Sequence, residues 1–327
     1  MSEDRDPRGE IERDVFLSRR PVNCPIDSVE WRDYMLHKQA KKLSPGLDYC
    51  PTHLPTWNAS CRGGGGGAGL ATGWHVLVAA NPGIGKSLMA LNLAARFTAA
   101  PAYVGILTLE MSAEQVTTRW LSIVSGTPLR KLEQGGSFDE VAAKAAWEKA
   151  GLVPGHRLHV EDSRAVRNLD GALAMMRQWQ DHYVSAFIID YMQLLTTPAG
   201  GDLRMQTQEV SLSLADFAKD NNVLTIGLSQ FNRETSRNYE APPQIQGLYG
   251  GAVLEGDADQ VVMIDHSRHE KVVKDGTLCG VRTWVLLGKN RHGPGPEIPV
   301  YIDYKTLRMT EALQDEEHLW PGVKATL

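Results

Sequence analysis

The residues of this sequence best suited to chemistry form a glycine-rich turn that ends in a lysine and a serine. The apolar run Val76–Ala80 leads into residues 81–87, which read NPGIGKS, and apolar residues at helical spacing follow. A strand, a glycine-rich loop and a helix N-terminus together bind phosphate, because backbone N–H groups converge on the anion. The pattern therefore predicts a nucleotide phosphate site. Its members are Pro82, Gly83, Ile84, Gly85, Lys86, Ser87 and Leu88.

Three side chains would complete this site for ATP and Mg2+. Lys86 would reach the β- and γ-phosphates, and the Ser87 hydroxyl would ligate the magnesium ion. Asp190 ends the apolar run Ala186–Asp190 and would hold the same ion through water. The first glycine of the usual pattern is Ala80 here, which is tolerated where the backbone does not need positive φ. The alternative interpretation is a chance glycine-rich turn.

A carboxylate and an amide follow two other apolar runs. Glu110 comes directly after Val104–Leu109, and Gln230 comes shortly after Leu224–Leu228. Because the carboxyl ends of parallel strands share one edge of a sheet, both side chains would face the nucleotide. Glu110 could then polarise the attacking water, and Gln230 could sense the γ-phosphate. The alternatives are a glutamate in the N-cap region of the next helix and a solvated loop glutamine.

Strands and helices must alternate to position these groups, and the sequence indicates that they do. Apolar runs predict strands at Val76–Ala80, Val104–Leu109, Leu158–Val160, Phe187–Ile189, Leu224–Leu228, Val261–Ile264 and Thr283–Leu287. Helical spacing predicts helices at Ser87–Phe97, Ala113–Val124, Phe138–Ala150, Leu169–His182 and Glu209–Asp220. This alternation predicts an α/β fold with a mostly parallel central sheet flanked by helices on both sides.

The ends of the chain differ from this alternating region. Residues 1–27 are charged and lack periodicity, which predicts a flexible arm, and residues 28–43 contain a predicted helix. Five glycines at Gly63–Gly67 predict a pliable loop. We expect residues 44–312 to form one ATPase domain and residues 313–327 to form a C-terminal tail.

Composition narrows the class of protein. A net charge of -5 and a hydrophobic fraction of 42% are ordinary for a globular protein, and no strongly basic balance points to nucleic acid. We find no signal peptide and no apolar run long enough to span a membrane, so we expect a cytoplasmic protein without membrane contact. Cys50 and His53 have a CxxH spacing and could bind zinc with Cys24 and Cys61; free thiols in a loop are the alternative.

Five short segments stand out when the sequence is followed in order. They are TLEMSAEQ at 108–115, IDYMQLL at 189–195, LSQFNR at 228–233, EGDAD at 255–259 and KNRHGP at 289–294. As a set they resemble the motifs of the C-terminal motor domain of DnaB-type replicative DNA helicases. The resemblance implies a RecA-like P-loop NTPase fold over roughly residues 44–310.

This resemblance also implies roles for matching residues. Glu110 would be the catalytic glutamate and Gln230 the γ-phosphate sensor, while Lys289 and Arg291 would act in trans on the nucleotide of the neighbouring subunit. From charge alone, a solvated strand end is the alternative for Lys289 and Arg291. The family implies a homo-oligomer, a hexameric ring on single-stranded DNA with 5′ to 3′ movement, and a primase or loader protein as partner.

Two regions depart from the family pattern. The family's N-terminal helical domain, which binds primase, is not found here, and the helix predicted at 28–43 lies where the family has a linker helix that docks on the adjacent subunit. Trp31 and Met35 could be its anchors, and ordinary packing within the chain is the alternative.

The second departure lies in the expected DNA-binding loop. Tyr249, Gly250 and Gly251 replace a segment in which the family usually carries an arginine. Tyr249 could stack on a base, and the N–H groups of the two glycines could hold a phosphate. Arg204, in the expected loop from Thr196 to Met205, and Arg233 complete the DNA-binding candidates. We expect weak or assembly-dependent affinity with a strong salt response.

The sequence therefore predicts an ATP-dependent DNA helicase or translocase that acts in DNA replication. One alternative is a non-unwinding ring ATPase that loads or regulates a protein partner. Another is a recombinase-like protein that forms open filaments on DNA. Stimulation of hydrolysis by DNA separates the first two interpretations.

Overall fold

The computed structural model describes residues 49–61, 69–100, 102–134, 137–150, 157–182, 184–198, 200–237 and 240–312. The expected arm at 1–27, the helix expected at 28–43, the glycine run Gly63–Gly67 and the tail at 313–327 all lie outside these residues. In the ranges that are described, no helix is both long enough and apolar enough to cross a membrane.

A large, mostly parallel sheet organises the described part of the chain. The strands are β1 (Tyr49–Cys50), β2 (Leu70–Ala71), β3 (His75–Ala80), β4 (Tyr103–Thr108), β5 (Glu133–Gln134), β6 (Ser137–Phe138), β7 (Leu158–Glu161), β8 (Val184–Asp190), β9 (Leu224–Gln230), β10 (Gln260–Lys274), β11 (Thr277–Asn290), β12 (Glu297–Asp303) and β13 (Met309–Glu311). The main sheet has the order β13-β12-β11-β10-β3-β9-β8-β4-β7. From β10 to β7 neighbouring strands pair in parallel, and β11, β12 and β13 extend the sheet antiparallel.

Helices cover both faces of this sheet. They are α1 (Pro55–Ser60), α2 (Lys86–Ala99), α3 (Ala113–Ser125), α4 (Leu129–Leu132), α5 (Glu140–Lys149), α6 (Leu169–Gln180), α7 (Leu203–Asn221), α8 (Arg233–Arg237) and α9 (Ala252–Asp257). Side chains alternate along a strand, so Val76 and Val78 of β3 pack in the layer of α2 and α3, while Leu77 and Ala79 pack in the layer of α6 and α7. The predicted α/β architecture is confirmed.

The start of α7 differs from the prediction. The sequence placed this helix at Glu209–Asp220, but the Asp202 side chain accepts a hydrogen bond from the Met205 N–H at 2.8 Å, and the helix begins at Leu203. An aspartate at the N-cap satisfies an N–H group that would otherwise lack a partner. Arg204 therefore lies in the first turn of a helix, and not in a loop as expected.

Strands β10 and β11 extend well beyond their predicted apolar cores at Val261–Ile264 and Thr283–Leu287. Only the first part of β10 pairs with β3, from Gln260 to Met263, and is buried on both sides. The remainder pairs with β11 alone, through register shifts, and carries polar side chains. A half-exposed antiparallel pair does not require a continuous apolar run, so the pattern underestimated its length.

Candidate active site

The phosphate loop connects the buried strand β3 to the N-terminus of α2. Gly83 and Gly85 adopt positive φ values of 79° and 111°, and the Ile84 N–H donates to the Asn81 carbonyl at 3.2 Å. Among the described residues, no side chain caps α2. Its first N–H groups are therefore directed at the space where phosphate would bind. Ala80 is still paired in the sheet and needs no positive φ, which explains the absence of glycine there.

Lys86 is a buried cation held between an aromatic ring and a carboxylate. Its ammonium lies 3.9 Å from the centroid of the Tyr191 ring and 3.7 Å from the Asp190 Oδ1 atom. Burial lowers the pKa of Lys86 from its usual value, and the charges of Asp190 and Glu110 oppose this shift. A partly desolvated ammonium attracts phosphate oxygens more strongly than one in water, because screening is weaker.

Asp190 and Ser87 supply oxygens that suit a magnesium ion. The Asp190 carboxylate is buried, and its Oδ1 atom accepts no hydrogen bond within the described residues, the Lys86 ammonium lying 3.7 Å away. Ser87 lies half-buried in the first turn of α2. Magnesium prefers hard oxygen ligands and retains several waters, so one carboxylate and one hydroxyl beside bound phosphates fit this ion.

Neighbouring strands bring Glu110 and Gln230 to the same edge. Thr108, at the end of β4, pairs with Asp190 at the end of β8, and Ala80 pairs with Gln230 at the end of β9. Glu110 follows β4, and its charge acts on both Lys86 and Tyr191. The sheet therefore brings together the residues that the sequence selected for the nucleotide.

Tyr191 is a member of this cluster that residue-level reasoning missed. Its ring lies under the Lys86 ammonium, and its hydroxyl hydrogen-bonds with the Gln230 side chain. Burial, followed by the charge of Glu110, raises the pKa of Tyr191. An aromatic residue directly after a strand-ending aspartate was the available signal, but only as part of the IDYMQLL segment.

Lys289 and Arg291 lie at the opposite edge of the sheet from the phosphate loop. The last residue of β11, Asn290, pairs with Gln260, which pairs with Val76 near the start of β3. At about 3.3 Å per residue, this places the end of β11 roughly 13 Å from the carboxyl end of β3, measured along the strand. Neither cation therefore reaches the phosphate loop of its own chain.

Both cations bind main-chain carbonyls in the last turn of α9. The Lys289 ammonium donates to the Glu255 carbonyl, and the Arg291 guanidinium donates to the Gly256 carbonyl. Burial, followed by repulsion from Arg291, lowers the pKa of Lys289, and nearby acidic groups oppose this shift. Cations are favoured at the C-terminal end of a helix, where free carbonyls concentrate negative potential.

The candidate DNA-binding residues form two groups, one made of Arg204 and Tyr249–Gly251 and the other of Arg233 at the start of α8. The Gly250 carbonyl accepts a hydrogen bond from the Gln208 side chain of α7 at 3.3 Å, and Arg204 lies one helical turn earlier, exposed. Tyr249 is half-buried. The Gly251 N–H already donates to the Leu248 carbonyl at 3.0 Å, so it is not available to a phosphate as we expected.

The zinc interpretation gains no support from the described residues. The Cys61 thiol donates to the Trp57 carbonyl at 3.3 Å and accepts from the Gln260 amide at 3.4 Å. Burial raises the pKa of Cys50 to about 12 and lowers that of His53 to about 3. Within the described ranges no three His, Cys, Asp or Glu side chains are grouped to hold a metal, and Cys24 lies outside them.

Arg233 is the first residue of α8 and follows the strand that ends at Gln230 after two intervening residues. Asn81 joins this helix to the phosphate loop, because its Nδ2 atom donates to the Ser236 carbonyl at 3.2 Å. A segment that carries a DNA-binding candidate is therefore in direct contact with the loop expected to hold phosphate.

Comparison with known proteins gives a consistent result. The model of the DnaB-like helicase C terminal domain family matches residues 67–311. The replicative DNA helicase DnaB of Haemophilus influenzae is 29% identical over 261 residues, which cover 77% of this chain and 54% of that protein. That of Pasteurella multocida is 31% identical over 237 residues, covering 69% and 49%. The chain thus spans about half the length of these relatives.

Solved structures match over most of the chain. One solved ATPase domain superimposes with a TM-score of 0.69 at 19% identity, covering 88% of this chain and 99% of that one. A DnaB-like replicative helicase, whose structure was described with its interactions with primase, gives a TM-score of 0.67 at 19% identity and covers 88% and 68%. At this identity the similarity establishes the fold alone.

Proposed function

We propose, from the premise that this chain belongs to the DnaB-like helicase C-terminal domain family, that it hydrolyses ATP to move along single-stranded DNA in DNA replication. One observation carries the proposal. The phosphate loop, Asp190, Glu110 and Gln230 meet at one edge of the sheet, whereas Lys289 and Arg291 lie at the opposite edge. Such a chain has the parts of a complete ATPase site, divided between two surfaces.

At the first surface, residues of this chain would bind ATP and activate water. The N–H groups of Gly83 to Ser87 and the Lys86 ammonium would hold the β- and γ-phosphates. Ser87 and Asp190 would hold Mg2+, whose charge would offset that of the phosphate oxygens. The Glu110 carboxylate would orient a water whose oxygen attacks the γ-phosphorus. The bond from that phosphorus to the β–γ bridging oxygen would break, the proton released by the water would pass to Glu110, and ADP and inorganic phosphate would leave.

At the second surface, Lys289 and Arg291 would serve the ATP of a neighbouring subunit. Their distance from their own phosphate loop supports a trans role, because Arg and Lys stabilise phosphoryl-transfer charge only when they touch it. A head-to-tail contact repeated around a closed ring, a homohexamer in our proposal, would complete every site. Gln230 would report the γ-phosphate to α8 and the adjoining DNA-binding segment.

Single-stranded DNA would bind through Arg204, Arg233, Tyr249 and Gly250. Few cations contribute, so affinity would depend strongly on salt and on repetition around the ring. A primase or loader protein is the partner class we propose. We do not favour the alternative of a loader or regulator that does not unwind DNA, since the relatives carry the name of replicative helicases.

The test is the ATPase rate of the full chain with and without single-stranded DNA, measured for wild type and Arg291→Ala. Strong stimulation by DNA, lost in the variant although subunits still associate, supports a translocating ring with a trans arginine. Hydrolysis that DNA does not change but that still requires Arg291 overturns the DNA motor and leaves a ring ATPase that acts on protein.

A further inference from the structure

Asp259 is a buried carboxylate placed between the start of β3 and the end of β11. Its Oδ2 atom accepts a hydrogen bond from the His75 N–H at 2.9 Å. The main chain fixes the residue as well, because the Asp259 N–H donates to the His75 carbonyl at 2.8 Å and the Asp259 carbonyl accepts from the Arg291 N–H at 3.0 Å. Backbone and side chain therefore hold this carboxylate in one orientation.

The second oxygen of Asp259 faces two basic side chains. Its Oδ1 atom lies 3.5 Å from Arg291 Nη1 and 3.6 Å from His292 Nε2. The Asp259 side chain is 10% exposed, whereas that of Arg291 is 41% exposed. The fixed carboxylate thus lies beside the Nη1 atom of a partly exposed guanidinium, whose Nη2 atom donates to the Gly256 carbonyl.

His292, the second basic side chain beside Asp259, is itself held in place by two contacts. Its ring stacks on the buried Trp74 ring with a centroid separation of 3.8 Å and an interplanar angle of 5°. The His292 N–H donates to the Asn290 side chain at 3.1 Å. Stacking and this hydrogen bond hold the segment after β11, and with it the base of the Arg291 side chain.

We propose that Asp259 is the positioning residue for Arg291, holding its guanidinium in the orientation that a neighbouring subunit's γ-phosphate requires. This inference rests on the proposed trans role of Arg291. A long, flexible side chain loses rotamer freedom when it meets its target, and a fixed carboxylate removes part of that freedom beforehand. The guanidinium has five donors, so it can keep Asp259 and still offer a pair of N–H groups to phosphate.

The direct test is Asp259→Asn in the full chain. Asparagine has nearly the same shape and keeps an oxygen for the His75 N–H, but it removes the charge that Arg291 contacts. We expect the DNA-stimulated kcat to fall roughly ten- to hundredfold, as misplacement of a catalytic group does, with little change in the KM for ATP. Size-exclusion chromatography with light scattering checks that the variant assembles as wild type does.

Mixing subunits distinguishes positioning from a fold defect. Lys86→Ala subunits cannot bind ATP productively but still present a wild-type Arg291. Adding them to Asp259→Asn subunits should raise the rate per variant subunit several-fold, because each intact ATP site can then receive a correctly held arginine. The matched control replaces the Asp259→Asn subunits by Glu110→Gln subunits. Because these lack a residue of the ATP site itself, adding Lys86→Ala subunits to them should give no increase in rate.

Arg291→Ala mixed with Lys86→Ala shows where a failure lies. If this pair regains activity and the Asp259→Asn pair does not, the positioning role is overturned while the proposed function stands. If neither pair regains activity, the trans role itself is overturned. Should Asp259→Asn fail to fold, His292→Ala, a partly exposed change beside the same carboxylate, should lose activity and be rescued in the same way; an unchanged rate overturns the proposal.

Discussion

The side chain of Tyr191 contacts two residues that are both candidates to bind the γ-phosphate, Lys86 and Gln230. The face of its ring contacts the Lys86 ammonium, and its hydroxyl hydrogen-bonds with the Gln230 side chain. A cation over an aromatic face is held by the ring and not by the hydroxyl. The two contacts can therefore be removed separately.

Tyr191→Phe should keep the contact with Lys86 and lose the one with Gln230. We expect kcat to fall about fivefold, since a net hydrogen bond contributes about 1 kcal/mol, with the KM for ATP nearly unchanged. Tyr191→Leu, which removes the ring, should raise the KM as well. Steady-state ATPase kinetics of both variants check this; equal effects from the two substitutions would contradict it.

Glu110→Gln should slow hydrolysis about a hundredfold or more and leave ATP binding intact. The amide cannot accept a proton from water, and loss of a positioned base costs about a hundredfold or more in rate. ATPase assays and equilibrium binding of a fluorescent ATP analogue measure the two properties. Glu114→Gln, an exposed glutamate in the first turn of α3, is the control and should behave as wild type.

Residue types and spacing were sufficient to predict that residues 81–87, Asp190 and Glu110 lie at one edge of the sheet, because each one ends or follows an apolar strand. They were not sufficient for Tyr191 and Asp259, whose partners come from strands far apart in the chain. Apolar patterns and spacing alone do not show which side chains meet across a sheet.

At the scale of the element, β3 begins with a buried histidine. His75 is fully buried, with its Nδ1 atom 2.9 Å from the Thr225 hydroxyl. Burial, with a smaller effect of Lys219, lowers the pKa of His75 from 6.5 to about 3. The folded protein therefore keeps this ring neutral, whereas the unfolded chain protonates it near its ordinary pKa.

This difference predicts a loss of stability in acid. The stabilising contribution of neutral His75 is complete above pH 6.5 and is lost as the pH falls toward about 3, because the unfolded state binds the extra proton. The slope is at most about 1.4 kcal/mol per pH unit. Urea unfolding at pH 7 and at pH 5 measures this loss. Between the two pH values, the free energy of unfolding should fall less for His75→Asn than for wild type. The exposed control His182→Asn should show the same fall as wild type.

Apolar periodicity predicted seven strands of the main sheet in their order, although not β12 and β13, and its errors in the bounds of some elements have physical causes. The helix α7 starts early because Asp202 caps it, a local hydrogen bond that apolar spacing does not report. The pair β10–β11 runs long because an exposed antiparallel ladder is held by its main chain and tolerates polar side chains.

At the scale of the whole molecule, the net charge of -5 gives the chain no overall attraction to DNA, so binding would depend on local cations such as Arg204. Arg204→Ala should weaken binding of single-stranded DNA most at low salt and reduce the slope of log affinity against log salt by about 1. Fluorescence anisotropy at several salt concentrations measures this slope. Arg130→Ala, an exposed arginine in α4 on the other helical layer, should leave it unchanged.

The phosphate loop and the cation pair Lys289 and Arg291 lie at opposite edges of one sheet, so the number of complete ATP sites depends on how the subunits are arranged. If each ATP needs both edges, an open row of subunits always has one fewer complete site than it has chains. Closing the row adds a working site without adding a subunit. A ring that opens to admit DNA would therefore silence one ATP site, located at the gap.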